Sequence, residues 1–395
     1  MVNELRPFDA LIASDSASAL RWYERRRDDL RAAPIHLHDW ARLLCSLGRR
    51  SEAEPLFDQL ASLDEYAMFV AGQRLIASLE AGASLEQALR QTPLGSHSGC
   101  LPAISAATTE FDISRRPLES RHIAICGVSF CGSTLLDMLL EGLPGVASIG
   151  ESVWLTLSFV DGRSVPRNHA VAHGPGVQEC NCCGPRCEFL TPNFRNALWL
   201  NPTDWYFRIA ERLDTRILVS ADKNLEKIVV FDPQLRFQAL VVFKSPKHAW
   251  ASVRSKMKND LAPEASFEEM TKYMAVWKRV YSEMVGAFKP RDGKVFLDFD
   301  RFAEAPEANF RSLTAALDLE YDPTALVRPS PGHSLGGNGA AFRRVRDADY
   351  RVDVRPLGEP AIPDDHAAWI DSQVDITELH ATMRRLSEER EALLI

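Results

Sequence analysis

Short apolar runs separated by helical stretches dominate the chain from about residue 121 onward. The runs share a length of five or six residues and an enrichment in β-branched or aromatic side chains: "HIAIC" (122–126), "RILVS" (216–220), "ALVVFK" (239–244) and "KVFLDF" (294–299). Helical segments such as "STLLDMLLEGL" and "FEEMTKYMAVWKRVYSEMVGAF" lie between them. Strands buried on both faces are nearly continuous apolar runs, and parallel strands need crossover helices. The pattern predicts a three-layer α/β domain around a parallel sheet.

A different pattern precedes this domain. From about residue 16 to 91, apolar residues recur at helical spacing, as in "WARLLCSLGRRSEAEPLFDQL", where Gly48 breaks one helix before the next begins. We predict a smaller all-α domain over residues 1–95. The stretch 96–120 is rich in Gly, Pro, Ser and Thr and is predicted to be a linker to the α/β domain over 121–395.

The helical segment allows two interpretations. Leu47, Gly48, Ala53 and Phe57 resemble part of a tetratricopeptide unit, although the full consensus and a clear second copy are missing. The segment is then either a small helical bundle that packs on the main domain, or a repeat that binds a protein partner or forms a homo-oligomer.

Bulk properties exclude several classes of protein. The 395 residues carry a net charge of −8, which argues against nonspecific nucleic-acid binding. No apolar run of about 18 residues is present, so we expect no membrane span. The first residues contain acids and lack a long apolar run, and eight cysteines in a chain of this size do not imply a disulfide framework. We therefore expect a cytoplasmic protein.

The stretch "GVSFCGSTLL" follows the first apolar run and begins at Gly127. A nucleotide-triphosphate P-loop has lysine where this chain has Ser133. A strand, a glycine-bearing turn and a helix starting at Ser133 and Thr134 nevertheless place backbone N–H groups at a helix N-terminus, which favours an anion. The alternative is an ordinary capped helix after a strand. Without the lysine, a kinase or ATPase is disfavoured.

A second motif lies in "VVFKSPKHAWASVRSKMKND". Lys244 ends a predicted strand, Pro246 follows, and Ser252 stands eight residues after the lysine. Together with the glycine loop, this motif resembles the sulfotransferases that use 3′-phosphoadenosine 5′-phosphosulfate (PAPS). In that family an arginine and a serine at these places hold the 3′-phosphate. Lys244 keeps the charge of the arginine but lacks its planar, bidentate geometry.

The resemblance implies two further sets of cofactor contacts. It assigns the phosphosulfate to the loop residues Ser129, Phe130, Cys131, Gly132, Ser133 and Thr134. The late stretch "GHSLGGNGAAFRR" is similar to a Gly-Gly-Asn loop near the cofactor, which makes candidates of Gly337, Asn338 and one of Arg343 or Arg344. The stretch "KVFLDFDRFAEAPEANFRSLTAALDLEYDP" resembles a strand and helix of the same family.

The expected transfer of a sulfuryl group needs a cation, because charge develops on the leaving oxygen. The family usually supplies this cation at the loop position that Phe130 occupies here. Lys223, in "LVSADKNLEK", resembles the lysine of an Asp-Ser-Ser-Lys segment and is the predicted replacement. The alternative for Lys223 is an ordinary surface lysine.

The acceptor also needs a general base. Glu151, in "PGVASIGES", matches a Gly-Glu of the family and is the first candidate, and His333 is the second. Either residue could instead be a loop carboxylate or a structural histidine.

Four cysteines crowd into "HAVAHGPGVQECNCCGPRCEF". Cys180, Cys182, Cys183 and Cys187 could supply soft ligands to a structural zinc ion, and His169 and His173 lie upstream. The adjacent cysteines at 182 and 183 cannot easily face one ion, so free thiols or a disulfide remain alternatives. The segment of about 160–200 is predicted to be an acceptor-side insertion.

Taken together, the resemblance implies a PAPS-dependent sulfotransferase with PAP (3′-phosphoadenosine 5′-phosphate) as product, no catalytic metal and a small-molecule acceptor, by preference one of secondary metabolism. Two alternatives stay open. One is a catalytically impaired PAPS-binding scaffold whose helical domain binds a partner. The other is a P-loop nucleotide kinase.

Overall fold

The structure is a computed structural model, and its fold is built from helices and one main sheet. It describes residues 16–30, 34–91, 120–152, 157–160, 163–166, 180, 182–184, 186–191, 194, 205–223, 237–256, 263–286, 290, 292–328, 330, 332–335, 354 and 356–391. The strands are β1 Arg121–Cys126, β2 Val146–Ser148, β3 Leu157–Val160, β4 Arg163–Pro166, β5 Ile217–Lys223, β6 Phe237–Phe243 and β7 Lys294–Asp298.

The helices of the described residues fall into an N-terminal series and a series that alternates with the strands. The first comprises α1 Ser16–Arg25, α2 Arg27–Leu30, α3 Pro34–Ser46, α4 Arg50–Leu60, α5 Asp64–Glu80 and α6 Leu85–Gln91. The second comprises α7 Ser133–Glu141, α8 Trp205–Arg212, α9 Pro246–Arg254, α10 Pro263–Val285, α11 Phe299–Glu304, α12 Pro306–Ala316, α13 Thr324–Val327, α14 Asp364–Ser372 and α15 Val374–Glu391.

Five strands form an all-parallel sheet in the order β2-β5-β1-β6-β7, and β3 pairs with β4 in a separate antiparallel hairpin. Every residue of β6 is buried, as expected for a central strand covered on both faces. The predicted α/β class and the four predicted strands are confirmed. The sequence did not predict β2, because three residues are too short for a recognisable apolar run.

The order of the strands predicts a crevice at the carboxyl ends of β1 and β6, two neighbouring strands in the middle of the sheet. The chain leaves β1 toward β2 on one side of the sheet, whereas it leaves β6 toward β7 on the other side. Neighbouring parallel strands whose connections diverge in this way leave a gap beyond their carboxyl ends. Ligands of open α/β sheets bind in such gaps. The loop after β1 and the residues after β6 therefore face a natural binding crevice.

The helices before residue 92 pack on one another. Tyr23 stacks on Trp40 with ring centroids 6.1 Å apart, and Phe57 is fully buried. Gly48 has a φ of +73° between α3 and α4, which confirms it as the break between two helices. The predicted helical character of this segment is confirmed, but its likeness to a tetratricopeptide unit stays a prediction. The predicted linker lies almost entirely outside the described residues.

Two C-terminal helices pack against the sheet domain. Helix α15 contacts β7 and α10, and α14 contacts α9. Trp250 Nε1 donates a hydrogen bond to His366 Nδ1 at 3.0 Å, and Lys278 pairs with Asp375. In the part of the chain that the structure describes, no helix is long and apolar enough to cross a membrane.

Candidate functional site

All five parallel strands contribute to one site at their carboxyl ends. Following the order of the strands across the sheet, the contributions are Glu151 beyond β2, Lys223 at the end of β5, the loop 127–132 after β1, Lys244 after β6 and Asp300 after β7. The sequence predicted four of these five. Asp300 was missed, although its position immediately after a predicted strand was a usable signal.

Two glycines let the loop after β1 pass close to its neighbours. Gly132 caps the N-terminus of α7 with a φ of +110°, and a Cβ there would lie 2.3 Å from Phe299 Cε2. Gly127 has a φ of +153°, and a Cβ there would lie 2.6 Å from the Val242 carbonyl oxygen. Any side chain at either position would therefore push the loop away from the sheet.

Two tyrosines of α10 hold the loop backbone. The Tyr281 hydroxyl accepts from the Val128 N–H at 3.4 Å and donates to the Val242 carbonyl at 2.7 Å, which joins the loop to β6. The Tyr273 hydroxyl donates to the Ser129 carbonyl at 3.2 Å. The loop is thus fixed by a helix that the sequence gave no reason to connect with it.

The helix start behind the loop surrounds a buried thiol. Burial raises the pKa of Cys131, and hydrogen bonds from the backbone and hydroxyl of Ser133 oppose that rise, as do the charges of Lys223 and Lys244. Both lysines therefore lie near the loop, one on each side of β1. Ser133 is buried and Thr134 is half-buried. Gly132 itself provides no side-chain cap for the first turn of α7.

Phe130 has an unusual conformation within the loop. Its φ is +69°, a left-handed value that is rare for a bulky residue, and its side chain is 42% exposed. Among the described residues it is the one aromatic side chain in the set of large exposed hydrophobics. Strained residues of this kind cluster at functional sites.

Lys244 is a buried cation. It is 8% exposed, its Nζ donates to Ser252 Oγ at 3.0 Å, and Nζ lies 4.9 Å from the centroid of the Phe299 ring. Burial lowers the pKa of Lys244, with the charges of Cys131 and Asp300 opposing. No carboxylate oxygen of the described residues lies within 4.0 Å of its Nζ. The ammonium group is therefore desolvated but has no anion in direct contact, which leaves it suited to one.

The carboxylate of Asp300 forms hydrogen bonds with Ser245 and His248. Its Oδ2 accepts from the Ser245 N–H at 3.0 Å and from His248 Nδ1 at 2.8 Å. His248 Nε2 lies 2.9 Å from the Gly358 carbonyl, so both ring nitrogens face oxygen acceptors. The hydrogen bond with Asp300 raises the pKa of His248, as expected when both nitrogens must donate. This arrangement fixes the start of α9, which carries Ser252.

Lys223 and Glu151 form an ion pair across neighbouring strand ends, with Nζ and Oε1 2.5 Å apart. Along β1 and β5, Ala124 pairs with Ser220 while Cys126 pairs with Lys223, so β5 contains one extra residue there. Lys223 also has a φ of +60°. Such bulges redirect side chains next to functional sites, and this one directs Lys223 toward Glu151.

Glu151 is positioned by a second contact of its backbone. Its N–H donates to the Leu335 carbonyl at 2.7 Å, and the Gly150 carbonyl accepts from the Ala221 N–H at 2.7 Å. Gly150 has a φ of +68°, and a Cβ there would lie 2.6 Å from the Leu335 oxygen. The segment 332–335 therefore lies directly against the strand end that carries Glu151.

Buried acids lie behind this ion pair and were not predicted from the sequence. Burial raises the pKa of Asp137 to about 7 and that of Glu141 to about 8, and both carboxylates accept hydrogen bonds from Ser148. Asp222 accepts from Ser152 at 2.5 Å and from Tyr206 at 3.1 Å. Nothing local distinguishes these acids in the sequence, although Asp222 immediately precedes Lys223.

Three cysteines and one histidine come together beside the segment 332–335. The side-chain ligand atoms of Cys180, Cys183, Cys187 and His333 all lie within 4.8 Å of one another. Burial raises the pKa of Cys180 to about 12 and that of Cys183 to about 11. Cys182 does not belong to this group. The structure thus differs from the predicted four-cysteine set by one ligand, and it places His333 among the cysteines.

Several predicted residues lie outside the described part of the chain. They are Gly337, Asn338, Arg343 and Arg344 of the late glycine loop, His169 and His173, and most of the predicted insertion.

In comparisons with known proteins, no family model and no curated sequence matches the chain.

Proposed function

We propose that the protein is a PAPS-dependent sulfotransferase that transfers a sulfuryl group to a hydroxyl or amine of a small-molecule acceptor. The observation that carries this proposal is Lys244, a buried ammonium group that contacts a serine hydroxyl and, among the residues that the structure describes, no carboxylate. It stands at the carboxyl edge of the sheet, in the crevice between β1 and β6.

Lys244 and Ser252 are the proposed contacts of the 3′-phosphate. The two side chains are already joined at 3.0 Å, and the Ser252 hydroxyl donates to the His248 carbonyl at 2.8 Å. A phosphate could accept from the ammonium and from the hydroxyl together once the hydroxyl turns from that carbonyl toward the phosphate. Hydrogen bonds between charged groups are short and strong, and they gain further when the cation is shielded from water. A nucleoside triphosphate lacks a 3′-phosphate and would leave this pair unused.

The loop 127–132 and the first turn of α7 are the proposed site of the 5′-phosphosulfate. Gly132 begins α7 with a left-handed backbone packed against Phe299, and the helix N-terminus favours negative charge. No lysine of the P-loop kind is needed for a single phosphate. This assignment makes the domain similar to P-loop proteins in the geometry of its first strand, loop and helix.

Lys223 and Glu151 are the proposed catalytic groups. The acceptor oxygen or nitrogen attacks sulfur, and the bond from sulfur to the bridging phosphate oxygen breaks. That oxygen keeps the electron pair and leaves as part of PAP. Glu151 takes the proton of the acceptor, while Lys223 stabilises the charge on the leaving oxygen in place of the cation that Phe130 cannot supply. These steps require Lys223 and Glu151 to exchange part of their mutual contact for contacts with the substrates.

The cofactor half of the proposal is tested by calorimetry with three nucleotides: PAP, AMP and Mg²⁺-ATP. We expect PAP to bind more tightly than AMP, because AMP lacks the 3′-phosphate. Lys244→Ala is expected to weaken PAP about 10- to 100-fold and to leave AMP nearly unchanged. Lys247→Ala is the matched control, since that half-buried lysine lies in the first turn of α9, three residues after Lys244, and pairs with Asp371 at 2.7 Å.

Tighter binding of Mg²⁺-ATP than of PAP would contradict the proposal and favour a nucleotide kinase. Phe130 gives a specific reason to consider a scaffold as the second candidate, because an aromatic ring occupies the usual place of the loop cation. A wild-type protein that binds PAP but transfers no sulfuryl group from PAPS to any of a broad panel of phenols, alcohols and amines would favour the scaffold. In that case the N-terminal helices would be the proposed partner-binding part.

A further inference from the structure

We propose that Cys180, Cys183, Cys187 and His333 bind one structural zinc ion. The proposal does not depend on the proposed sulfotransferase activity. It rests on how four ligand atoms from two distant parts of the chain are arranged around a common point.

The distances fit a tetrahedral site. His333 Nδ1 lies 3.4 Å from Cys187 Sγ, 3.5 Å from Cys183 Sγ and 4.0 Å from Cys180 Sγ. With ordinary Zn–S and Zn–N bond lengths, tetrahedral geometry separates a nitrogen and a sulfur ligand by about 3.6 Å and two sulfur ligands by about 3.8 Å. The three observed distances from His333 Nδ1 to the cysteine sulfurs lie on both sides of the value expected for a nitrogen and a sulfur ligand.

The backbone around the cysteines is shaped for a bound metal. Cys180, Cys183 and Gly184 form a Cys-x-x-Cys-Gly turn, in which the Gly184 N–H donates to the Cys180 carbonyl at 2.9 Å and Gly184 has a φ of +63°. The Leu190 N–H donates to Cys187 Sγ at 3.3 Å. Backbone donors aimed at sulfur stabilise thiolate ligands and fix their direction.

The donor set favours zinc and a closed site. Three thiolates and one imidazole are soft and borderline ligands, and four protein ligands in tetrahedral array are typical of structural zinc. The four groups leave no position for water or substrate, so the ion would not take part in chemistry. The Phe189 ring covers one side of His333 with centroids 4.1 Å apart, which further closes the site.

Such an ion would hold the segment around Cys180–Cys187 against the segment 332–335. The second segment in turn pairs with the backbone of Glu151 through Leu335. The zinc ion would therefore fix the position of Glu151 through the backbone, by joining two segments whose ligands Cys183 and His333 are 150 residues apart in the chain.

Metal content and cobalt substitution test this proposal. Purified wild-type protein, reduced and loaded with Zn²⁺, is expected to retain about one zinc per chain after desalting. Cys182→Ser is the matched control, because it changes an adjacent cysteine outside the group and should retain the metal. Cys183→Ser and His333→Asn are expected to lose it. Co²⁺ in the wild type should give the visible absorption of a tetrahedral, thiolate-ligated ion, and this absorption should be absent in Cys183→Ser.

Alkylation of the wild type provides a readout that does not depend on whether a variant folds. Bound zinc is expected to protect Cys180, Cys183 and Cys187 from a maleimide, and a chelator should expose them, as mapped by mass spectrometry. Three outcomes would overturn the proposal: no uptake of Zn²⁺ or Co²⁺ by the reduced wild type, a native disulfide between two of these cysteines, or unchanged metal content in Cys183→Ser.

Discussion

Lys223 Nζ lies 2.5 Å from Glu151 Oε1, although the two residues are 72 positions apart in the chain. The pair exists because β2 and β5 are adjacent parallel strands and because a bulge turns the end of β5 toward β2. Each side chain satisfies the charge of the other. Under the proposed function, the same two groups serve as the cation and the base of one reaction.

Lys223→Ala is expected to lower kcat for sulfuryl transfer about 10²- to 10³-fold, because one cation at the leaving oxygen is lost. PAP affinity should change far less, since Lys244 and the loop hold the cofactor. Lys223→Arg keeps the charge and should recover part of the rate. Equal losses in kcat and in PAP affinity for Lys223→Ala would argue that the residue only supports binding. The measurement is steady-state kinetics together with calorimetry.

Glu151→Gln removes a base but retains the size of the side chain. We expect kcat to fall about 10²- to 10⁴-fold, because the group that takes the proton of the acceptor is lost. Glu320→Gln provides a control at an exposed carboxylate beyond α12. An unaltered kcat in Glu151→Gln would mean that another group takes the proton.

Lys244 and Ser252 are expected to act as a unit on the 3′-phosphate. In a double-mutant cycle, Lys244→Ala and Ser252→Ala should weaken PAP binding by amounts that do not add, with a coupling of about 0.5–3 kcal/mol. The same cycle measured with AMP should show no coupling. Additive effects on PAP would indicate that the two side chains do not contact a common group.

Gly132→Ala tests the close approach of the loop to Phe299. The new Cβ would meet the ring at 2.3 Å, so overpacking should cost about 1–3 kcal/mol beyond the cost of the left-handed backbone. Gly145→Ala is the control, since Gly145 also has a positive φ, +69°, but has nothing within 4 Å of its Cβ position. Urea denaturation measures both. A further change of Phe299→Leu should relieve part of the cost, and equal costs at the two glycines would refute the contact.

The buried acids predict how stability depends on pH. The folded-state pKa values of about 7 for Asp137 and about 8 for Glu141 lie above those of unfolded carboxyls near 4. Between these limits the folded chain binds more protons than the unfolded chain, so their stabilising contribution is full below pH 4 and is lost as pH rises toward 8. The double variant Asp137→Asn and Glu141→Gln should flatten this decline.

Asp371→Asn is the control for that measurement, because its carboxyl is exposed on α14. The free energy of unfolding is followed by denaturant titration at several pH values between 5 and 8.5. An equal decline in the wild type and the double variant would show that other groups dominate.

Local sequence was enough to predict four of the five strands of the parallel sheet and part of the site. β1, β5, β6 and β7 are apolar runs whose burial follows from composition, and Gly132 and Ser133 mark a strand, loop and helix. The contact of Lys244 with Ser252 was also accessible, because both lie on one strand-to-helix segment. Short-range geometry fixes such pairs.

Only the tertiary structure decided which distant residues meet. The pairing of Lys223 with Glu151 depends on the order of the strands and on a bulge in β5. Neither of these features can be recognised from the residues next to Lys223 or Glu151 in the sequence. The cysteine group contains His333 where Cys182 was predicted, and this depends on a contact between Cys183 and His333, which are 150 residues apart in the chain. Asp300, Tyr273 and Tyr281 reach the site because helices and strands pack in one particular arrangement. Side-chain chemistry determines what each residue can do, but packing over long separations determines which residues act together.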